Sequence, residues 1–172
     1  MDFLKIALSE LGNISERRTA RLVDGSLSGL PRFLTAKGGL NSGLMIAQYT
    51  AASLVSENKV LSHPASVDSI PTSANQEDHN SLGSIAARKC FEVLNNTEKI
   101  IAIEILCSCQ GIDFLKPLKC GKGTGTAYNA IRKNVKHIDE DILMSEQINA
   151  VCDVIFREGF IENIEKSAGK LS

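Results

Sequence analysis

Apolar positions along this chain recur at helical spacing, and nowhere do they alternate as a half-buried strand requires. Phe3, Leu4, Ala7, Leu8 and Leu11 predict an amphipathic helix over residues 2–12, stopped by Gly12. Ser15 reads as the cap of a second helix running to about Val23, with Glu16 at its positive end. Residues 25–39, punctuated by Gly, Pro and Ser, form a connection. A helix from Gly43 to about Lys59 follows, built largely of Ala47, Thr50, Ala51, Ala52, Ser53 and Ser56. Small residues on several faces imply close neighbours on several sides, hence a central helix.

Pro64 and Pro71 forbid a regular helix through 63–80. Helical spacing resumes at Leu82, Ile85, Ala86, Cys90, Val93, Leu94, Ile101 and Leu106, and continues to about Gln110, where Gly111 ends it. Residues 112–125 read as a loop, and helices near 126–135 and 145–158 close the chain. The pattern predicts an all-α fold, a long-helix bundle, with residues 1–172 as a single helical unit. Two long helices with so much apolar surface have few neighbours in a chain of 172 residues. They point to a larger assembly, with the faces around Leu54, Val55, Ile85, Val93 and Ile101 needing partners.

Composition narrows the function classes. The 19 Lys+Arg against 20 Asp+Glu leave a formal charge of −1, so there is no basic field for nucleic acid. The uncharged stretch from Gly38 to Ser56 is long enough to cross a bilayer, but Asn41, Ser42, Gln48, Thr50, Ser53 and Ser56 make it too polar for lipid. Asp2, Lys5 and Glu10 interrupt any signal-peptide core. The 5 Cys are odd in number and scattered, which reads as reduced thiols in a cytoplasmic protein.

Chemistry concentrates in one place. The glycines at 121–125 lack Walker spacing and a preceding strand, and read as a connector. The 3 His are scattered, and adjacent Glu77, Asp78 and His79 are poorly spaced for one metal, so no metal site is expected. The 63–80 loop, in contrast, carries Asp68, Ser69, Thr72, Ser73, Asn75, Gln76, Glu77, Asp78 and His79 between two apolar helices. If buried, these groups must satisfy one another or a ligand. An exposed turn with Glu77 and Asp78 capping the next helix is the alternative.

The run SVDSIPTSANQEDHNSLG, at 66–83, lies within a longer stretch from Gly38 to Cys90 that resembles the histidine ammonia-lyases of the aromatic amino-acid lyase family. SELGNISERRTARLVDGSLSGLPRFL before it and GTAYNAIRKNV after it carry the resemblance over nearly the whole chain. The resemblance implies elimination of ammonia from L-histidine to give urocanate, in the pathway of histidine degradation. The family uses a methylidene-imidazolone electrophile, made autocatalytically from an internal Ala-Ser-Gly.

Matched residue by residue, Glu77 falls on the family's active-site glutamate, near the substrate's imidazole and amino group. Related lyases for phenylalanine or tyrosine tend to carry Gln there. Met45 matches a position lining the side-chain pocket, and Ser73 and Gln76 match positions near the substrate. The family also implies a homotetramer.

One departure matters. No Ala-Ser-Gly occurs in the chain: Ala52-Ser53 runs into Leu54, and Ser167-Ala168-Gly169 has the wrong order. The segments that supply the family's catalytic tyrosine and carboxylate grip are missing too. The expectation is therefore a C-terminal lyase portion, inactive alone and completed by an N-terminal portion. A non-catalytic helical assembly module, or a piece of another aromatic amino-acid lyase or aminomutase, are the alternatives.

Overall fold

The computed structural model describes residues 1–157 and 159–170. Its helices are α1 (Asp2–Val23), α2 (Gly25–Ser28), α3 (Met45–Leu61), α4 (Gly83–Phe114), α5 (Lys122–Arg132), α6 (Met144–Ile155) and α7 (Phe160–Ala168). Short 3₁₀ turns lie at Arg32–Leu34, Ala65–Val67 and Ser73–Asn75. Among the described residues, β pairing is confined to two isolated bridges, Gly38 with Asn41 and Thr72 with Glu77. The fold is all-α, as the hydrophobic pattern requires. Also among the described residues, no helix is long and apolar enough to cross a membrane.

Three long helices form the frame, and their register is written in side-chain hydrogen bonds. Thr97 reaches Leu8 O at 3.3 Å, and Ser15 donates to Glu104 at 2.6 Å. The same seven-residue step separates the contacts on both helices, so α1 and α4 run parallel. Gln48 donates to Glu16 at 2.7 Å and Asn96 to Asn58 at 3.1 Å, while Ser9 and Ser62 share a hydrogen bond of 2.6 Å. Those pairings make α3 antiparallel to both. α6 packs on α4, and α5 and α7 pack on each other. The core joins Leu34, Leu44, Ala47, Ala51, Ile103, Leu106, Ile131, Val135 and Val151.

Several expectations give way to packing. Gly12 does not stop a helix; α1 runs through it. A Cβ there would stand 3.2 Å from Ile100 Cδ1, so glycine lets α1 and α4 approach. Ser15 is accordingly not a cap but a buried donor to α4. Gly111 lies inside α4, where a Cβ would meet Leu30 Cδ1 at 3.0 Å, and the helix continues to Phe114. The expected loop 112–125 shrinks because α5 starts at Lys122 and takes in Gly123 and Gly125. The helix expected over 145–158 is α6, ending at Ile155; the expected end at Glu158 lies outside the described residues. α7 was not foreseen.

α3 buries one face rather than several: Ala47, Ala51, Val55 and Asn58 turn inward, while Ser53 and Ser56 are exposed. Val55 and Val93 are buried within this chain, whereas Ile85 is exposed. α1 is inverted relative to its apolar pattern. It buries Asp2, Lys5, Gly12, Ser15, Glu16 and Thr19, and exposes Phe3, Leu4, Leu11 and Ile14.

Candidate active site

The two prolines of the 63–80 segment end helical structure, and hydrogen bonding then folds the chain into a small tongue. Its root is tied to α1. Lys5 donates to His63 O at 2.9 Å, and the Asp2 carboxylate accepts from Ala65 N at 3.3 Å and Ser66 N at 3.0 Å. Its neck is closed by Asn80, whose N–H donates to Ser69 Oγ at 2.7 Å and whose side chain donates to Ile70 O at 2.7 Å.

Glu77 sits at the tongue's far end, paired with Thr72. Thr72 N–H donates to Glu77 O at 3.0 Å and Glu77 N–H to Thr72 O at 3.4 Å. The Thr72 hydroxyl donates to the Glu77 carboxylate at 3.3 Å, so the side chain is held by its own hairpin. Between them, Ser73, Ala74 and Asn75 all adopt positive φ, at 50°, 54° and 70°. The conformation costs about 1–2 kcal/mol at Ser73 and Ala74 and less at Asn75, since asparagine tolerates it. Gln76 N–H closes the turn onto Ser73 O at 3.1 Å. Ser73, Gln76 and Glu77 are thus brought together on one strained turn.

Residues 71–79 are exposed throughout. The polar side chains at 71–79 are therefore not buried between the helices of this chain. Nor do Glu77 and Asp78 cap α4, whose N-cap is Leu82 at a φ of 51°. An open groove of about 500 Å³ runs beside the hairpin, lined by Ile70, Thr72, Asn80, Leu82 and Gly83 among others.

Met45 stands apart from the other three. It is the half-buried first residue of α3, whose 17 residues end at the tongue's root. At 1.5 Å per residue, about 24 Å of helix lies between Met45 and that root. Among the described residues, no three His, Cys, Asp or Glu side chains converge as a metal site would require.

A polar cluster that sequence reading passed over lies at the C-terminal end of α4. The Asp113 carboxylate accepts from Arg132 at 2.6 Å, His137 Nδ1 at 2.9 Å and the Tyr128 hydroxyl, and pairs with Lys116 at 2.9 Å. Burial works to raise its pKa, but these hydrogen bonds and the Arg132 charge prevail, holding the carboxyl well below the usual carboxylate range. Fully buried Gln110 donates to Ile138 O at 2.8 Å and accepts from Ile138 N at 3.2 Å. Its signal was present: two polar residues three apart on an apolar helix face, with Tyr128 and Arg132 four apart on the next.

Comparison with known proteins extends the picture. The family model described as aromatic amino acid lyase matches residues 1–133. A histidine ammonia-lyase of Caldanaerobacter subterraneus subsp. tengcongensis is 62% identical over 169 residues, covering 98% of this chain and 33% of its own length. Histidine ammonia-lyase 1 of Fusobacterium nucleatum is 54% identical over 172 residues, covering 99% of this chain and 33% of its own length. The crystal structure of histidine ammonia-lyase from Trypanosoma cruzi superposes with a TM-score of 0.93 at 48% identity, over 97% of this chain and 33% of that one. Tyrosine aminomutase from Streptomyces globisporus gives the same TM-score at 36% identity, over 99% of this chain and 33% of that one. The chain spans about a third of the length of the relatives it matches.

Proposed function

Because the chain belongs to the aromatic amino acid lyase family, we propose that it is the C-terminal third of a histidine ammonia-lyase, an enzyme that converts L-histidine to urocanate and ammonia. The observation that carries this reading is the 62% identity over 98% of the chain. Backbone shape does not discriminate, since the aminomutase and the histidine enzyme both superpose at 0.93. Sequence does: the histidine enzymes stand at 48–62% and the aminomutase at 36%.

In this reading Glu77 is the residue that faces the substrate. A carboxylate accepts from an imidazole N–H, and a glutamate at this position suits histidine better than an aryl ring. Ser73 and Gln76 share its turn, and Met45 lines the pocket for the side chain. The residues present do not supply the methylidene-imidazolone, for want of an Ala-Ser-Gly, so the electrophile belongs to an N-terminal lyase portion. What this chain contributes is binding, orientation and a carboxylate able to take or hold a proton.

Assembly is the second part of the proposal. Met45 and the Glu77 tongue lie at opposite ends of α3, too far apart to line one pocket within one copy. The exposed Phe3, Leu4, Leu11 and Ile14 offer an apolar face for neighbouring helices. Both features support self-association; the homotetramer, the cytoplasmic location and the place in histidine catabolism are carried over from the family resemblance as part of the same proposal.

The test is urocanate formation followed by absorbance. The isolated chain with histidine is expected to show no turnover. The complete enzyme is expected to turn over, and Glu77→Gln to lower its rate by about 10²-fold or more, the scale of lost acid–base help. Turnover by the isolated chain above its Glu77→Gln variant would overturn the missing-electrophile reading. A complete enzyme that prefers tyrosine or phenylalanine would overturn the substrate.

A further inference from the structure

α3 begins where two loops nearly a hundred residues apart are clasped together. The Asp141 carboxylate accepts from Ser42 N and Gly43 N, each at 2.9 Å. The Asn41 side chain returns the contact, accepting from Asp141 N at 3.4 Å and donating to Asp139 O at 3.3 Å. Each loop thus presents one side chain that brackets the other's backbone. The Ser42 and Gly43 backbone hydrogen bonds hold Asp141 below the ordinary carboxylate range against the opposing pull of burial, so the clasp is charged at neutral pH.

Both ends of this arrangement are rigid. Gly43 adopts φ +57°, and a Cβ there would stand 2.5 Å from Phe33 O, the same carbonyl that accepts from Leu44 N at 2.8 Å. On the other side, Gln110 fixes Ile138 through two hydrogen bonds, and Arg132 donates to Val135 O at 3.1 Å and Lys136 O at 2.9 Å. The strap 135–141 therefore hangs from α4 and ends on the residues that open α3. Met45 is the first helical residue, and its N–H bonds Ser42 O at 3.3 Å.

We propose that Asp141 is a positioning residue for substrate binding: its clasp on Ser42 and Gly43 sets the first turn of α3 and thereby the place of Met45 against the substrate's side chain. This rests on the reading of Met45 as a pocket residue of a histidine ammonia-lyase. The Cα position sets the centre of the region that the Met45 thioether can reach, so a displaced first turn carries that reach away from the imidazole. A misplaced binding group weakens affinity for the bound ring without removing a reacting group, so its effect falls on KM rather than kcat.

The experiment uses the complete lyase carrying this segment, with Asp141→Ala and the shape-conserving Asp141→Asn. Steady-state kinetics with histidine is combined with hydrogen exchange of a peptide covering 40–48. Asp141→Ala is expected to raise KM about five- to tenfold with kcat within about twofold, and to speed exchange at 42–43. Asp141→Asn, whose amide oxygen still accepts, should fall between Ala and the native enzyme. Faster exchange with an unchanged KM would overturn the positioning role, as would a fall in kcat alone. Unchanged exchange would overturn the clasp itself. A native complete enzyme that leaves histidine intact would instead overturn the functional reading, with exchange at 42–43 still deciding the clasp.

Discussion

Lys5 Nζ lies 2.6 Å from the Asp2 carboxylate, one turn back on α1, with the lysine side chain wholly buried. Each partner also holds the root of the tongue: Lys5 through His63 O, Asp2 through Ala65 and Ser66. An ion pair at a helix start thus anchors the segment that carries Glu77. Removing one partner strands the other in a site closed to water.

The pH dependence of that anchor follows from its sign. The Lys5 hydrogen bond, then that from Ser66, holds Asp2 well below the usual carboxylate range against the pull of burial. The stabilisation is complete above the unfolded-state value of about 3.9 and is lost as pH falls below it. Melting temperature measured from pH 7 to pH 2 should therefore fall less steeply below pH 4 in Asp2→Asn than in the native chain. Lys5→Met should lower melting by several degrees at pH 7.

Two glycines predict unequal outcomes on substitution by alanine. Gly43→Ala forces a side chain into positive φ and against backbone, at 2.5 Å from Phe33 O. A loss of about 1–3 kcal/mol in urea unfolding is expected. Gly12→Ala meets side chains rather than backbone, Ile100 Cδ1 most tightly at 3.2 Å, and gains helix propensity of about 1 kcal/mol. It should stay within about 1 kcal/mol of the native chain.

Asp113→Asn removes the charge on which Arg132, His137 and Lys116 converge. Unfolding should become easier by about 1–3 kcal/mol at pH 7, as expected when the nearly buried Arg132 guanidinium loses its charged acceptor. Since Asp113 is also held low, the difference between native and variant should shrink as pH drops below about 4. Urea curves at pH 7 and pH 3 check it.

Burial pushes the Cys107 thiol up to about 12 and Cys109 to about 11. At pH 8 the thiolate fraction of Cys107 is on the order of one in ten thousand. Iodoacetamide labelling read by mass spectrometry should therefore modify half-buried Cys120 first, and reach Cys107 and Cys109 only after unfolding. Rapid native labelling of Cys107 would contradict the packing around α4.

The fold was legible wherever one residue decides alone. Pro64 and Pro71 mark the tongue because no helix interior accommodates them, and the long helices show in their apolar spacing. Gly12 and Gly111 were misread because glycine can end a helix or admit a neighbour, and only Ile100 and Leu30 decide which. α1 misled more deeply: its Phe3 and Leu11 define an apolar face, but the face packed within this chain is that of Lys5, Ser15 and Glu16. The Asp113 cluster left only a partial signal, the polar pair Gln110 and Asp113 on an apolar face, because Tyr128, Arg132 and His137 lie 15 to 24 residues away. Of the candidate site, composition marked the tongue and resemblance marked Glu77. The remoteness of Met45 follows from helix direction, which spacing does not reveal.

The clasp at the start of α3 has a consequence for the order in which the protein takes shape during synthesis. Gly43 and Asp141 are separated by 98 residues. A ribosome adding about 5–20 residues per second needs about 5–20 s to travel from one to the other. During that interval α3 and α4 can find each other, since Asn58 and Thr97 emerge only 39 residues apart. The hydrogen bonds from Ser42 and Gly43 to Asp141 form only after the strap has been made, so the first turn of α3 is completed long after the rest of that helix.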